Sequence, residues 1–372
     1  MTNTIGRRGF IRMGGATVGL ATVGGLSALL EACSSSSKSS TGPTTTTGGA
    51  GGTVAPGTYG TIGFQVSWIL NDEFSGEYLA DSRGYYTSQG FAHVNIIPGG
   101  PNVTQDAVVA SGKAFAGLSS PDITAAAINQ GADLVIIGAQ YQKNPFAIMS
   151  LASSPIKTPQ DMIGKKIGVQ STNEAVWKAF LKANNLDPSK INEVPVQFDP
   201  TPLTTHTVDG WFSYITNEPN LLKVKGFDTY TFLLNDFNYP LVAESYMVEK
   251  SALTGANREK LKAFMRAEIM GWHDSLADPA AGPHLAVTKY GSTLGLEEAE
   301  QTLESKAQNK LILTADTQAN GLLTITPELV DKCISTLALG GITITKDKLF
   351  DMSVLTELYQ ESPQLKTSPV SV

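Results

Sequence analysis

The chain has 372 residues, too many for one small hydrophobic core, and this length favours two domains. Hydrophobic residues make up 41% and charged residues 16%, a composition typical of a lightly charged globular protein. The 34 acidic residues outnumber the 27 lysines and arginines, and the formal net charge is -7. Without a basic cluster, such a chain is not suited to bind nucleic acid or to adhere broadly to anionic lipid.

The first 33 residues are predicted to be an export signal outside the folded part. Arg7-Arg8-Gly9-Phe10-Ile11 looks like a twin-arginine motif, and an apolar stretch of small residues follows over 14–30. Leu30-Glu31-Ala32-Cys33 resembles a bacterial lipobox, with cleavage before Cys33 and lipid on its thiol. The alternative is an uncleaved single-span anchor, for which 17 apolar residues are marginal. Both interpretations place the protein outside the cytoplasmic membrane and attached to it.

Residues 34–57 form a low-complexity segment of serine, threonine, glycine and proline. Such a composition cannot bury enough apolar surface to order itself, so the segment is predicted to be a disordered tether. A flexible coil of this length spans about 25–30 Å. The sequence has two cysteines, and with Cys33 lipidated no internal disulfide is possible. Cys333 lies in a helical pattern and is predicted to be a small core residue.

From residue 60 the hydrophobic pattern alternates between strands and helices. This rhythm predicts a mainly parallel sheet covered by helices. The predicted strands are 62–68, 93–97, 115–118 and 134–138, and the predicted helices are 72–89, 105–111 and 123–129.

The rhythm restarts after residue 165. Strands are predicted at 166–170, 194–198, 210–215 and 230–234, with helices at 173–185, 258–276, 295–310 and 327–339. The chain after residue 242 is predicted to be helical and to pack on the first lobe. The pattern therefore favours two α/β lobes, each a mainly parallel sheet flanked by helices: 58–145 plus 243–372, and 146–242. The crossings between the lobes are predicted near 144–151 and 235–242.

In open α/β sheets, ligands bind at the loops beyond the carboxyl ends of the strands. These loops and the crossings are rich in amides, hydroxyls, carboxylates and aromatic rings, and poor in arginine and lysine. The candidate ligand-binding residues in them are Trp68, Asn71, Glu73, Ser119, Ser120, Tyr141, Thr172, Asn173, Tyr214, Asn217, Glu218 and Tyr239.

Several motifs, in order along residues 60–250, resemble a known family. They are Ser67-Trp68 followed by Asn71, Gly84-Tyr85-Tyr86 with Gly90, Val94 to Pro101, Ile163 to Gln170, and Val208-Asp209-Gly210 followed by Tyr214 and Thr216-Asn217-Glu218-Pro219. The stretch resembles the solute-binding proteins of ABC importers, in the group that includes thiamine-pyrimidine synthases, sulfonate and nitrate binders, and riboflavin or pyrimidine-precursor binders. The resemblance implies a type II periplasmic-binding fold, a hinged two-lobed clamp that delivers its ligand to a permease and its ATPase. A monomer is expected.

Carboxylates at predicted helix starts guide the choice of ligand. Glu73, Glu77, Glu174 and Glu218 occupy the positions where a sulfonate or nitrate binder would need free N–H groups or arginine. The cleft should therefore favour a flat, donor-bearing nitrogen heterocycle such as a thiamine-pyrimidine precursor or riboflavin. An alkyl sulfonate, taurine or nitrate is the alternative.

The predicted roles each have a structural alternative. Trp68, Tyr141, Tyr214 and Tyr239 could stack on the ligand, or they could fill the core and the hinge, and Trp177 is more typical of packing. Asn71, Asn217 and Glu218 could bind its donor and acceptor edge. Alternatively, Asn217 could be an N-cap, and Glu218 could only stabilise its helix.

Catalysis is the alternative function, because the pyrimidine synthases of the group are enzymes. The resemblance implies that those enzymes carry a cysteine-rich iron-binding motif and a consumed histidine. This chain has no cysteine cluster, and its four histidines are scattered without metal-ligand spacing. We therefore expect a binding protein without cofactor, metal or enzyme activity.

Overall fold

The structure, a computed structural model, describes residues 54–367. The predicted export signal, the lipidated Cys33 and residues 34–53 of the predicted tether lie outside these residues. Within the part of the chain that is described, no helix is both long enough and apolar enough to cross a membrane.

The described residues contain ten strands in two five-stranded sheets. The strands are β1 Thr61–Gln65, β2 His93–Ile97, β3 Ala116–Ser119, β4 Leu134–Tyr141, β5 Phe146–Leu151, β6 Lys166–Val169, β7 Asn192–Pro195, β8 Gly210–Tyr214, β9 Thr229–Leu233 and β10 Ala243–Glu249. The first sheet has the order β2-β1-β3-β10-β4, and the second has the order β7-β6-β8-β5-β9. All predicted strands are present within a few residues of their predicted bounds.

Each sheet is mixed: four of its five strands run in one direction, as the alternating pattern predicted, and one runs against them. In the first sheet β1 is parallel to β2 and β3, but β10 is antiparallel to β3 and β4. In the second sheet β6 is parallel to β7 and β8, and β5 is antiparallel to β8 and β9. The antiparallel strands β5 and β10 are the two that enter a sheet directly from the other sheet. Because no crossover helix precedes them, they can run against their neighbours.

Two sequence predictions about the crossings are corrected. Residues 146–151, predicted as part of a crossing, form β5, so the first crossing is confined to residues 142–145. The chain after Val242 was predicted to be helical, yet β10 follows at once and lies inside the first sheet. The two crossings run side by side, since the Asn144 N–H donates to the Leu241 carbonyl at 2.8 Å.

Helices cover the sheets. They are α1 Ser75–Ser82, α2 Tyr85–Ser88, α3 Gln105–Ala110, α4 Pro121–Asn129, α5 Glu174–Ala183, α6 Thr201–Thr204, α7 Glu218–Val224, α8 Gly255–Ala277, α9 Ala281–Leu285, α10 Glu298–Ile312, α11 Ala315–Asn320, α12 Pro327–Leu339, α13 Lys346–Leu349 and α14 Ser353–Glu361. As predicted, much of the late helical region returns to the first sheet: α8 packs on α1, and α14 packs on α8 and β4. Cys333 in α12 is buried in the core, which confirms its predicted place.

Candidate ligand-binding site

A cavity is lined by residues at the ends of strands from both sheets. The space between its lining atoms is about 470 Å³ when the open solvent at its mouth is included. Its lining comprises Ser67, Trp68, Glu73, Gln105, Ser119, Ser120, Ile123, Phe146, Thr172, Asn173, Phe212, Ser213, Tyr214, Asn217, Glu218 and Glu244. Most of these residues follow the carboxyl end of a strand, where open α/β sheets place their ligands.

Nine of the candidate residues are brought together around this cavity. They are Trp68, Glu73, Ser119, Ser120, Thr172, Asn173, Tyr214, Asn217 and Glu218. Whether they contact a ligand stays a prediction.

The structure places Asn71 and Tyr141 away from the lining of this cavity, and their predicted ligand contacts stay predictions. The Asn71 side-chain amide donates to Glu304 at 2.9 Å, and the Tyr141 hydroxyl donates to Gln308 at 2.7 Å. Both acceptors belong to α10, and both candidate side chains are buried. Asn71 and Tyr141 therefore attach α10 to the first sheet.

Tyr239 is also placed away from the cavity. It is buried in the core, and its hydroxyl donates to Asp122 at 2.6 Å. Asp122 also accepts a hydrogen bond from the Ser120 hydroxyl, and Ser119 donates to Asp106 at 2.6 Å. The hydroxyl protons of the two serines thus point at buried carboxylates, and these serines offer the cavity mainly acceptor oxygens.

Glu218 lines the cavity from the first turn of α7. Its Oε2 accepts a hydrogen bond from the Tyr214 N–H at 3.0 Å, so the carboxylate closes the turn between β8 and the helix. Burial raises the pKa of Glu218 to about 7. Asn217 occupies the N-cap position of α7, but its side chain makes no capping hydrogen bond and lines the cavity.

Glu244 is a cavity residue that sequence reasoning missed. Its oxygens accept hydrogen bonds from the Ser67 hydroxyl at 2.6 Å and the Tyr214 hydroxyl at 3.0 Å. Because Tyr214 ends β8 and Glu244 lies in β10, the second bond links the two sheets. Glu244 has a left-handed backbone with φ +45°, a conformation that costs a non-glycine residue on the order of 1–3 kcal/mol. Burial raises its pKa to about 7.

Glu73 is the third carboxyl in the cavity, and its side chain is buried. Neither of its carboxylate oxygens receives a hydrogen bond from any described residue. Burial raises the pKa of Glu73 well above its ordinary value, and the neighbouring carboxyls of Glu244 and Glu218 raise it further. A proton on Glu73 lets it share a hydrogen bond with Glu244.

Two other predicted cleft carboxylates lie elsewhere. Glu77 is buried against the first sheet, where it accepts a hydrogen bond from the Tyr246 hydroxyl at 2.9 Å. Glu174 lies at the exposed surface of α5 and forms an ion pair with Lys178. The acidic character of the cavity therefore comes from Glu73, Glu218 and the unpredicted Glu244.

Aromatic side chains form the apolar part of the lining. Trp68 is half-buried, and Phe146 packs edge-to-face against Tyr214 with ring centroids 4.5 Å apart. Trp177 is buried against Phe212, 6.2 Å between centroids, which confirms its packing role. The cavity thus combines flat apolar faces with acceptor oxygens, the combination typical of small-molecule sites.

Thr172 and Asn173 reach the cavity from the second sheet. The Thr172 hydroxyl donates to the Val103 carbonyl at 2.9 Å, and the Thr172 N–H donates to the Pro101 carbonyl at 3.1 Å. The segment after β2 is therefore hydrogen-bonded to the segment after β6 beside the cavity. Among the described residues, no group of three or more His, Cys, Asp or Glu side chains has an arrangement that could hold a metal ion.

Comparisons with known proteins bear on this site. A family model described as NMT1/THI5 like matches residues 71–282. The riboflavin-binding protein RibY of Chloroflexus aurantiacus is 29% identical over 220 residues, which cover 58% of this chain and 62% of RibY. The formylaminopyrimidine-binding protein of Halalkalibacterium halodurans is 25% identical over 238 residues, 61% of this chain and 70% of that protein.

A solved structure supports the architecture. The alkanesulfonate-binding protein SsuA from Xanthomonas axonopodis pv. citri, bound to MOPS, matches with a TM-score of 0.59 at 13% identity, over 80% of this chain and 97% of SsuA. At this identity the likeness concerns the fold. It confirms the predicted α/β architecture of two sheets flanked by helices.

Proposed function

Because this chain belongs to the NMT1/THI5-like family, we propose that it is an extracytoplasmic solute-binding lipoprotein of an ABC importer. Its ligand is a small flat nitrogen heterocycle, of the thiamine-pyrimidine-precursor or riboflavin type, bound in the cavity between the two sheets. Residues 1–33 serve as the export signal with lipid on Cys33, and residues 34–57 as the tether. The lobes 58–145 plus 243–372 and 146–242 close on the ligand, which then passes to the permease.

The observation that carries this proposal is the chemistry of the cavity lining. Glu73, Glu218 and Glu244 supply acceptor oxygens, while Trp68 and Tyr214 supply flat faces. Of the described residues, no lysine, arginine or histidine lines the cavity. An oxyanion such as a sulfonate needs such side chains or free helix N–H groups. Two relatives named for binding riboflavin and formylaminopyrimidine support the heterocycle class.

The same lining argues against the alternatives. An alkyl sulfonate, taurine or nitrate would place its negative charge beside three buried carboxyls and would require them to stay protonated, which costs free energy at neutral pH. A pyrimidine-synthase-like enzyme is the second alternative, and the two relatives named above are binding proteins.

Thermal melting with candidate ligands tests the proposal. A ligand that binds the folded state raises the melting temperature. We expect riboflavin or an aminopyrimidine to raise it by several degrees, and taurine, alkanesulfonate and nitrate to leave it unchanged. Native mass spectrometry of the purified protein should show a bound heterocycle. Recovery of an organosulfonate instead would overturn the choice of ligand.

A further inference from the structure

Three carboxyl side chains face one cavity without a basic partner. Glu73 lies in the segment after β1, Glu218 in α7 and Glu244 in β10. Three separate elements therefore direct these side chains to the same space. If all three were ionised, the cavity would hold three negative charges, and no described lysine, arginine or histidine lines it to balance them. Buried carboxylates without a partner are strongly unfavourable.

Glu73 differs from the other two. Glu218 accepts the Tyr214 N–H, and Glu244 accepts the hydroxyls of Ser67 and Tyr214. Glu73 is 1% exposed and receives no hydrogen bond from the described residues on either oxygen. A buried acceptor of this kind costs about 1–3 kcal/mol unless a donor reaches it. Because Glu73 lines the cavity, a hydrogen-bond donor in the cavity can reach its carboxylate.

The titratable groups that interact with Glu73 are carboxyls and phenols: Glu77 and Tyr78 in α1, Tyr141 in β4, Tyr214 in β8, Glu218 in α7, Glu244 in β10 and Glu304 in α10. Helix α9 also packs against the segment that contains Glu73, and its exposed His284 lies near Glu298 instead. In the empty cavity, therefore, a proton shared between Glu73 and Glu244 is the means by which this pair avoids a double charge.

We propose that the ligand binds as a cation, with its positively charged nitrogen group between Glu73 and Glu244, and that binding displaces the proton these carboxyls share. The proton passes to solvent, so one positive charge replaces another and the net charge of the site is unchanged. An amidinium or a protonated aminoheterocycle fits, because it is flat and presents two N–H donors toward paired carboxylates. This inference rests on the proposed function and narrows its ligand to the aminopyrimidine type, because riboflavin has no cationic nitrogen at neutral pH.

The experiment compares three flat probes of nearly the same shape: benzamidinium, benzamide and benzoate. Calorimetry of the full-length protein at pH 7, in phosphate and in Tris, measures affinity and the number of protons exchanged. We expect benzamidinium to bind at least tenfold more tightly than benzamide and benzoate not to bind. Benzamidinium should release up to about one proton, because the displaced proton must pass to the buffer, whereas benzamide should release none. Benzamide affinity equal to that of benzamidinium, binding without proton release, or no benzamidinium binding would overturn the inference.

Matched variants locate the effect. In Glu73→Gln an amide replaces the carboxyl and can donate to Glu244 in place of the proton. Benzamidinium affinity should fall at least tenfold and proton release should disappear, while benzamide affinity stays within about twofold. Glu174→Gln, at the exposed surface of α5, should leave affinity and proton release unchanged.

The two proposals fail in different ways. Riboflavin or an aminopyrimidine that raises the melting temperature, without benzamidinium binding, would keep the proposed function and remove the charge inference. Benzamidinium binding with proton release, together with no stabilisation by any heterocycle, would do the reverse.

Discussion

Glu218 shows how one residue can meet a structural and a functional requirement at once. It is the first residue of α7, and its carboxylate accepts a hydrogen bond from the Tyr214 N–H and lines the cavity. A glutamate that only stabilised a helix end through the macrodipole would lie at the surface, as Glu328 does at the start of α12.

We predict that Glu218→Gln weakens binding of a donor-bearing heterocycle at least tenfold, about 1.4 kcal/mol or more. The glutamine oxygen can still accept the Tyr214 N–H, so the fold should be kept, but the charge and one acceptor facing the ligand are lost. Calorimetric titration with riboflavin or an aminopyrimidine measures the change. Glu328→Gln is the matched control and should leave the affinity unaltered. Equal affinities for wild type and Glu218→Gln would reduce Glu218 to a helix-end residue.

For single residues, the sequence predicted the position along the fold better than the direction in which the side chain points. Asn71, Tyr141 and Tyr239 lie near strand ends, as predicted, but each bonds to a partner more than 100 residues away in the chain. No local pattern predicts such pairings. Glu244 was missed for a similar reason, since its partner Ser67 lies 177 positions earlier. A carboxylate inside the apolar run 241–248 was the available signal, because a buried charge implies a partner or a function.

The contact between α1 and α8 depends on two facing glycines. A Cβ atom at Gly271 would lie 2.1 Å from the Gly76 carbonyl oxygen, and a Cβ at Gly76 would lie 2.4 Å from the Trp272 ring. The helices can therefore approach closely only if both positions lack a side chain.

Gly271→Ala should destabilise the protein by roughly 1–3 kcal/mol, because overpacking forces the two helix backbones apart. The helix propensity of alanine, which alone would stabilise α8, is outweighed by the clash. Urea unfolding measures the difference. Asn257→Ala, at an exposed position of the same helix, should be neutral or slightly stabilising. A stability gain in Gly271→Ala would show that α1 and α8 can shift at little cost.

The sequence predicted the bounds of a strand or helix correctly where a single hydrophobic periodicity was clear. Strand β2 and helix α12 have the bounds that the sequence predicted, since turn residues or a threonine–proline start define their ends. Strand β10 was missed because it is buried on both faces: Tyr246, Met247 and Val248 are all fully buried. Such a strand has no alternating pattern, and its apolar run leads into the helical region that follows.

Across the described part of the molecule, many glutamate and aspartate carboxyls are buried away from basic side chains. Burial raises the pKa of Glu218, Glu244, Glu268 and Glu300 to about 7, and that of Asp106 to about 6. In the unfolded chain these carboxyls titrate near 4–4.5. The folded state therefore binds more protons than the unfolded state between about pH 4.5 and 7.

The ligand-free protein should thus be more stable at pH 5.5 than at pH 8. The stabilisation is present below the unfolded pKa and is lost as pH rises through the folded pKa. One glutamate shifted from 4.5 to about 7 contributes on the order of 3 kcal/mol, and coupled groups contribute less than their sum. Urea unfolding at a series of pH values measures the slope, and Glu268→Gln should reduce it. Stability that increased between pH 5.5 and 8 would contradict this account.

At the scale of the molecule, the family resemblance inferred from motifs over residues 60–250 is confirmed, as is the α/β architecture with two sheets. The direction of β5 and β10 relative to their neighbouring strands could not be predicted, because a pattern of apolar runs does not depend on strand direction. Only the spatial path between the sheets determines it.

The position of β10 affects the order in which the molecule can assemble. This strand separates β3 from β4, yet all five strands of the second sheet precede it in the chain. A nascent polypeptide that has emerged as far as β9 can complete the second sheet while the first still lacks its bridging member. The earliest-made sheet is therefore the last to be finished, and it cannot be completed before the chain has been synthesised as far as Glu249.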